Sequence, residues 1–230
     1  MSVSAETVWG TTLVLASSAL LVPYISAVVK HKYFAPRLDF EFDFGSPYCQ
    51  LTEACKREIK DGKTVNEVRF PVFYFRFVVV NNGRLQADDC EVVLGKVWEE
   101  DSAGNLHSWQ NFSPVNLKWS GEYPLRPTRT IQPGRKVFCD IGRIHHPDYE
   151  DKSVYMGISK EEKQENKFFF ELPQRFFSQW DCLVPGKYQI EISIYSKNVR
   201  KITKKFKISW SGEWKDTEER MFKQVVVSSI

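Results

Sequence analysis

From Val8 to Val29 the chain reads VWGTTLVLASSALLVPYISAVV, without one charged side chain. Wound as a helix, this run would be about 33 Å long, enough to cross a hydrocarbon core of about 30 Å. Its Ser and Thr hydroxyls can bond back to their own helix, and Pro23 predicts a kink in the last third. Trp9 and Tyr24 stand near the two ends, where amphipathic rings favour the membrane–water interface. The seven residues before the run carry one charge, Glu6, whereas Lys30, Lys32 and Arg37 come after it. A cleavable signal peptide has the opposite order, with its positive charge ahead of the apolar stretch. The expectation is a transmembrane helix at 8–29 between a short tail, 1–7, and a juxtamembrane linker, 30–37. The positive-inside rule then puts the N-terminus outside and the remainder in the cytoplasm, on a single-pass protein of the inner (plasma) membrane.

Beyond the linker the chain carries period-two patterns. Leu38, Phe40, Phe42 and Phe44 alternate with Asp39, Glu41 and Asp43, as in a half-buried strand. Val68–Val80 is apolar on both faces apart from Arg76 and ends at Asn81-Asn82-Gly83, which predicts a central strand and a turn. Cys90–Glu99 leads through a turn at 101–105 into Leu106–Trp109. Val115, Leu117 and Trp119 predict one short strand, and the turn Ile131–Gly134 feeds a strand over Lys136–Ile144. Residues 45–66 are polar and predict a long loop with a helical turn near Glu53–Ile59. Residues 145–166 predict an irregular insertion, and Phe168–Leu172 a returning strand before a loop with Phe176, Phe177 and Trp180.

The clearest pair comes last. Tyr188, Ile190, Ile192 and Ile194 share one face; Ile202, Phe206, Ile208 and Trp210 share another, with Lys204 at the entry, and Thr203, Lys205, Lys207 and Ser209 face away. A short helix over 216–223 and a last strand at Val225–Val227 complete the pattern. Many short strands between turn signals predict a mainly β, antiparallel sandwich over 38–230.

Two stretches carry a resemblance. Leu183-Val-Pro-Gly-Lys-Tyr-Gln-Ile-Glu-Ile192 resembles the entry to strand F of fibronectin type III and related Ig-like domains. Phe77-Val-Val-Val-Asn-Asn-Gly83 with Ala87-Asp-Asp-Cys-Glu-Val-Val93 is similar to the strand B–turn–strand C run of CARDB-type sandwiches. The resemblance implies an Ig-like sandwich in which the Tyr188 hydroxyl bonds back to the backbone. It also implies a role in binding or spacing, and it brings no catalytic residue.

Chemistry-bearing candidates are few. His145, His146 and Asp148 are suitable ligands for a first-row metal, but adjacent histidines on a strand point to opposite faces. A solvated loop is the plainer reading, with a metal-dependent enzyme as the alternative. The chain has no nucleophile elbow, zinc-protease motif or phosphate-binding glycine loop, so the expectation is a non-catalytic module without a cofactor. Lys197, Arg200, Lys201, Lys204, Lys205 and Lys207 form a basic ribbon. It reads either as an attraction to anionic lipid headgroups or to a nucleic acid, or as lysines guarding an edge strand. A net charge of +3 is too small to mark a nucleic-acid binder. Trp109, Trp180 and Trp214 near loops would suit a carbohydrate-binding module if the domain were outside; otherwise they lid the core. The five scattered cysteines fit a reducing compartment better than a disulfide framework. Taken together, the residues point to a binding module tethered to the bilayer through 8–29 and facing an unidentified protein partner.

Overall fold

The structure is a computed structural model that describes residues 35–60, 63–121, 126–148, 166–173 and 181–230. The expected membrane helix lies outside those residues, as do Lys30, Lys32 and the aromatic loop Phe176–Trp180. Among the described residues no helix is long and apolar enough to cross a membrane.

The chain builds two antiparallel sheets over one core. In the first, β3 (Lys63–Asn81) is the spine. On one side it pairs with β1 (Leu38–Glu41) and β2 (Cys49–Lys60), which lie one after the other along the same edge. On its other side lies β9 (Lys136–His145). Two short strands then share the far edge of β9, β7 (Lys118–Trp119) and β10 (Phe168–Phe170), with β11 (Cys182–Leu183) outside β10. The second sheet centres on β4 (Ala87–Glu100) and β12 (Gly186–Tyr195). Beyond β12 come β13 (Ile202–Trp210) and β14 (Val225–Ser229). Along the other edge of β4 run β8 (Arg129–Ile131), β6 (Val115–Asn116) and β5 (Leu106–Ser108).

The alternating residues meet between the sheets. Phe73, Phe75 and Phe77 of β3 and Tyr188, Ile190, Ile192 and Ile194 of β12 belong to one buried cluster. Phe77 stacks on Phe206 of the opposite sheet at 6.0 Å and touches Phe40 at 5.1 Å. The β12–β13 hairpin expected from the sequence is present, with β12 interior to its sheet.

Three expectations are corrected. Residues 45–66 are not a long loop: Cys49–Lys60 is a strand of 12 residues that pairs with β3 up to Lys60↔Lys63. Among the described residues no third strand covers its outer half, and no alternating apolar face marks it. Val115–Trp119 is two strands, because the chain crosses between sheets there. Leu117 donates its N–H to the Val92 carbonyl of one sheet, and Lys118 donates to the Glu171 carbonyl beside the other, at 2.8 and 2.9 Å. Finally, β14 covers the edge of β13 over Phe206–Trp210, so Lys207 does not guard a free edge. Lys204 sits half-buried on the inner face and reaches the Phe40 carbonyl of the first sheet at 3.4 Å.

The two ends of this fold differ. At one end Asn81, fully buried, ties three segments together. Its Oδ1 accepts from the Arg37 and Gly83 N–H groups, and its Nδ2 donates to the Leu85 and Ile131 carbonyls. The approach is close: a Cβ on Gly83 would lie 2.4 Å from the Ala35 carbonyl oxygen. This is the end where the chain enters the domain. At the other end α1 (Glu218–Met221) sits below β13, and Phe222 beside it packs on Phe73 at 5.5 Å. Beyond that point β2 and β3 continue as a two-stranded ribbon. β9 pairs with β3 only from Val72 onward, so Lys63–Phe70 projects past the third strand by about 25 Å.

Candidate functional site

Among the described residues, the outer face of the first sheet carries a close-set group of ionisable side chains. Asp140 of β9 and Glu171, just past β10, are both buried. Glu171 Oε1 forms an ion pair with Arg143 Nη1, and its Oε2 lies 3.7 Å from Lys118 Nζ. Arg143 Nε donates to His145 Nε2 at 2.6 Å, and its Nη1 lies 3.5 Å from the Tyr74 hydroxyl. Ser120 Oγ donates to Asp140 Oδ1 at 2.5 Å. Burial raises the Asp140 carboxyl above its ordinary range despite the Ser120 bond, and the nearby Glu171 charge adds to the rise. Burial raises the Tyr74 hydroxyl as well, again with Glu171 contributing.

The strands explain this placement. Alternate residues of β3 and β9 fill the core, so Tyr74, Asp140, Arg143 and His145 face the other way. An extra residue in β9 opposite Phe75/Arg76 shifts the register between Asp140 and Arg143, so both, an odd number apart, share one face. The sequence reading missed Tyr74, Asp140, Arg143 and Glu171 as a group. The available signal was polar residues alternating with apolar ones along β9, but the bulge breaks that period.

This network consumes its own charges. The buried Glu171 carboxylate and the Arg143 guanidinium are ion-paired, which is the arrangement burial of ions requires. Its chemistry is that of a structural ion pair: neither the Arg143 cation nor the Glu171 anion is held apart for a substrate.

The structure places the predicted metal candidates in separate surroundings. His145 lies between Phe70 and Phe169, with ring centroids at 5.5 and 5.2 Å. His146 packs on Trp214 at 5.3 Å, near Asp148 and Asp216 at 3.7 and 3.8 Å. Among the described residues no three His, Cys, Asp or Glu side chains are grouped to hold a metal ion.

The remaining sequence candidates scatter. Tyr188 is buried, its ring edge-on to Trp109 at 6.2 Å. It folds back along Gly186, whose Cβ, if present, would stand 3.1 Å from the hydroxyl. Trp109 also meets Phe112, so it caps the core, and Trp214 donates to Asp216 at 3.0 Å. The basic ribbon divides. Lys197 pairs with Asp89, Lys201 lies over the Tyr195 ring at 5.2 Å, and Lys205 lies over Trp98 at 5.0 Å. Lys204 turns inward, and Arg200 and Lys207 are exposed. Arg37 is exposed at the chain entry. All five cysteines are thiols. Burial pushes Cys49 up to about 12, Cys90 up to about 11 and Cys139 well above its ordinary value. Only Cys55, on the ribbon, is exposed.

Compared with known proteins, the chain matches no family model, no curated protein and no solved structure. The described residues define an all-β, two-sheet domain of sandwich-like architecture, and its role has to be read from its own geometry.

Proposed function

We propose that this chain is a membrane-tethered, non-catalytic interaction module whose Ig-like domain stands on the cytoplasmic face and recruits a protein partner. The observation that carries it is the β2–β3 ribbon. A two-stranded hairpin is marginal alone in water, and here it extends from the end opposite the chain entry, away from the proposed anchor, with no third strand beside it among the described residues. Strand edges left unpaired in this way can pair with an added strand, a recurrent mode of protein recognition. The anchor reading rests on the uncharged run Val8–Val29 and the cations after it. Thiols rather than disulfides suit the reducing side of the membrane. The Ig-like reading rests on Tyr188 against Gly186 and on β3 and β4, consecutive strands of opposite sheets.

The test is affinity capture from detergent-solubilised membranes with two full-length baits. One is the wild-type chain. In the other, residues 56–68 are replaced by Asn-Gly, closing the hairpin at the existing Cys55↔Arg69 pair. A partner recovered with the first bait and lost with the second, while the β-sheet circular dichroism persists, supports the proposal. Recovery of the same partner by both baits refutes the ribbon's role. Stoichiometric metal in the purified chain, lost on His145→Ala and His146→Ala, would favour the enzyme reading instead.

A further inference from the structure

The end of the domain where the chain enters is built from four segments that hold one another. Arg84 N–H donates to the Ala35 carbonyl at 3.4 Å, and Asn82 N–H to the Arg37 carbonyl at 2.7 Å. Gly134 N–H donates to the Asn81 carbonyl at 2.8 Å, bringing in the β8–β9 turn. Asn198 Nδ2 donates to the Gln86 carbonyl at 3.0 Å, and Lys197 N–H to the Asp88 carbonyl at 3.0 Å, bringing in the β12–β13 turn. Four stretches far apart in sequence therefore form one continuous surface around residues 35–37.

That surface is basic. Arg37, Arg84, Arg135, Lys197, Arg200 and Lys201 are all exposed on it. Asp88 and Asp89 lie among them, and both are engaged. Asp88 accepts from Gln86 and Asn198 side chains at 2.8 and 3.2 Å, and Asp89 pairs with Lys197. Beside Arg84 stands Leu85, 51% exposed, one of few large apolar side chains on the outside of the domain. The opposite end is mixed: Glu99, Glu100 and Asp101 close β4 and Glu213, Asp216, Glu218 and Glu219 lie between β13 and β14, but Lys187, Lys215, Arg220 and Lys223 stand among them. The chain-entry end is thus the more basic of the two.

We infer that this end is a docking face for anionic lipid headgroups, so that the domain stands on the membrane with its strands directed away from it. The inference rests on the tethering proposed above and deepens it. The occupant is identified by where the chain leads. Residues 30–34 separate the described domain from the uncharged run that ends at Val29, and five residues reach at most about 17 Å. A surface tied that close to a bilayer meets its headgroups at high effective concentration. Lys and Arg within a Debye length of an anionic leaflet are attracted to it. Leu85 is positioned to enter the interfacial layer between those cations. This orientation also directs the β2–β3 ribbon toward the partner it is proposed to meet.

The experiment uses the full chain reconstituted into vesicles of phosphatidylcholine alone or with phosphatidylglycerol. Leu85→Cys is introduced with Cys55→Ser and labelled with an environment-sensitive fluorophore; the wild-type chain labelled at Cys55 serves as the distal control. Brominated lipid is the quencher. The expected result is quenching at position 85 in anionic vesicles only, reversed by high salt, with none at Cys55. Removing charge through Arg84→Gln, Arg135→Gln and Arg200→Gln should weaken the docked state about fivefold per residue, with β-sheet circular dichroism unchanged. Equal signals at position 85 in neutral and anionic vesicles, whether quenched or not, overturn the docking face. Resistance of the chain to alkaline extraction from neutral vesicles reports the anchor separately. A chain that is extracted, yet still shows salt-sensitive quenching in anionic vesicles, refutes the tether and retains the docking face.

Discussion

Replacing Asn81 by Ala should unfasten the chain-entry end of the domain. The side chain makes four hydrogen bonds, to Arg37, Gly83, Leu85 and Ile131, at 2.8 to 3.1 Å. Each intramolecular hydrogen bond contributes about 1 kcal/mol net. Three of these partners are near solvent and can rehydrate, but the bond to the Ile131 carbonyl is buried. Leaving that carbonyl unsatisfied costs about 1–3 kcal/mol in place of its share. The sum is about 4–6 kcal/mol, a large part of the usual stability of a domain. Asn81→Asp should be worse at neutral pH, because it sets a buried carboxylate against two carbonyl oxygens that had received N–H donors. Urea unfolding of the full chain in a mild detergent, monitored by fluorescence of the buried Trp119 and Trp210, measures both. A loss below about 1 kcal/mol for Asn81→Ala, or an Asp variant more stable than the Ala variant at pH 7, would refute this account of the entry end.

Three further perturbations have defined outcomes. Gly142→Ala places a Cβ 2.3 Å from Phe168 Cε1 and 2.5 Å from the Phe169 carbonyl; backbone must move, and urea unfolding should show a loss of about 3 kcal/mol. Glu171→Ala leaves Arg143 in a buried setting without its carboxylate, a loss of about 3 kcal/mol or more, whereas Glu171→Leu with Arg143→Met should recover most of it. Asp140 binds its proton more tightly folded than unfolded, because burial raises it from 3.8; between those two values the native state holds more protons, so stability falls as pH rises through the window. Asp140→Asn can keep an acceptor toward Ser120, should flatten that slope and should raise the melting temperature at pH 7; a wild-type slope left intact by this substitution would contradict the assignment.

Legibility in the sequence tracked burial. Where one face of a strand is dry, the period of two is visible: Tyr188 through Ile194 and Phe206 through Trp210 lie as their alternation predicts. Val68–Val80 reads as interior because both its faces carry apolar residues. The β2–β3 ribbon was illegible for the same reason in reverse. With no third strand beside Lys63–Phe70 among the described residues, its residues carry no apolar rhythm, and only Asp61-Gly62, a common hairpin dipeptide, lay there as a signal. The crossing at Leu117 hid because two strands in different sheets can continue one alternation through a single residue. The ionic network escaped because its members lie far apart in sequence and are joined only through β3, β9 and the Glu171 segment. His145 and His146 looked like a pair for the opposite reason: they are neighbours in sequence, but one packs among aromatic rings and the other beside Trp214 and Asp216.

The central claim, a domain tethered to the membrane and facing the cytoplasm, is tested most directly by its one exposed thiol. Cys55 is exposed, while Cys49, Cys90, Cys139 and Cys182 are buried in the folded domain. An impermeant maleimide applied to sealed cells that make the full chain should leave Cys55 unmodified and should label it once the membrane is opened, with Cys55→Ser as the blank. Labelling of Cys55 in sealed cells would place the domain outside and contradict the account.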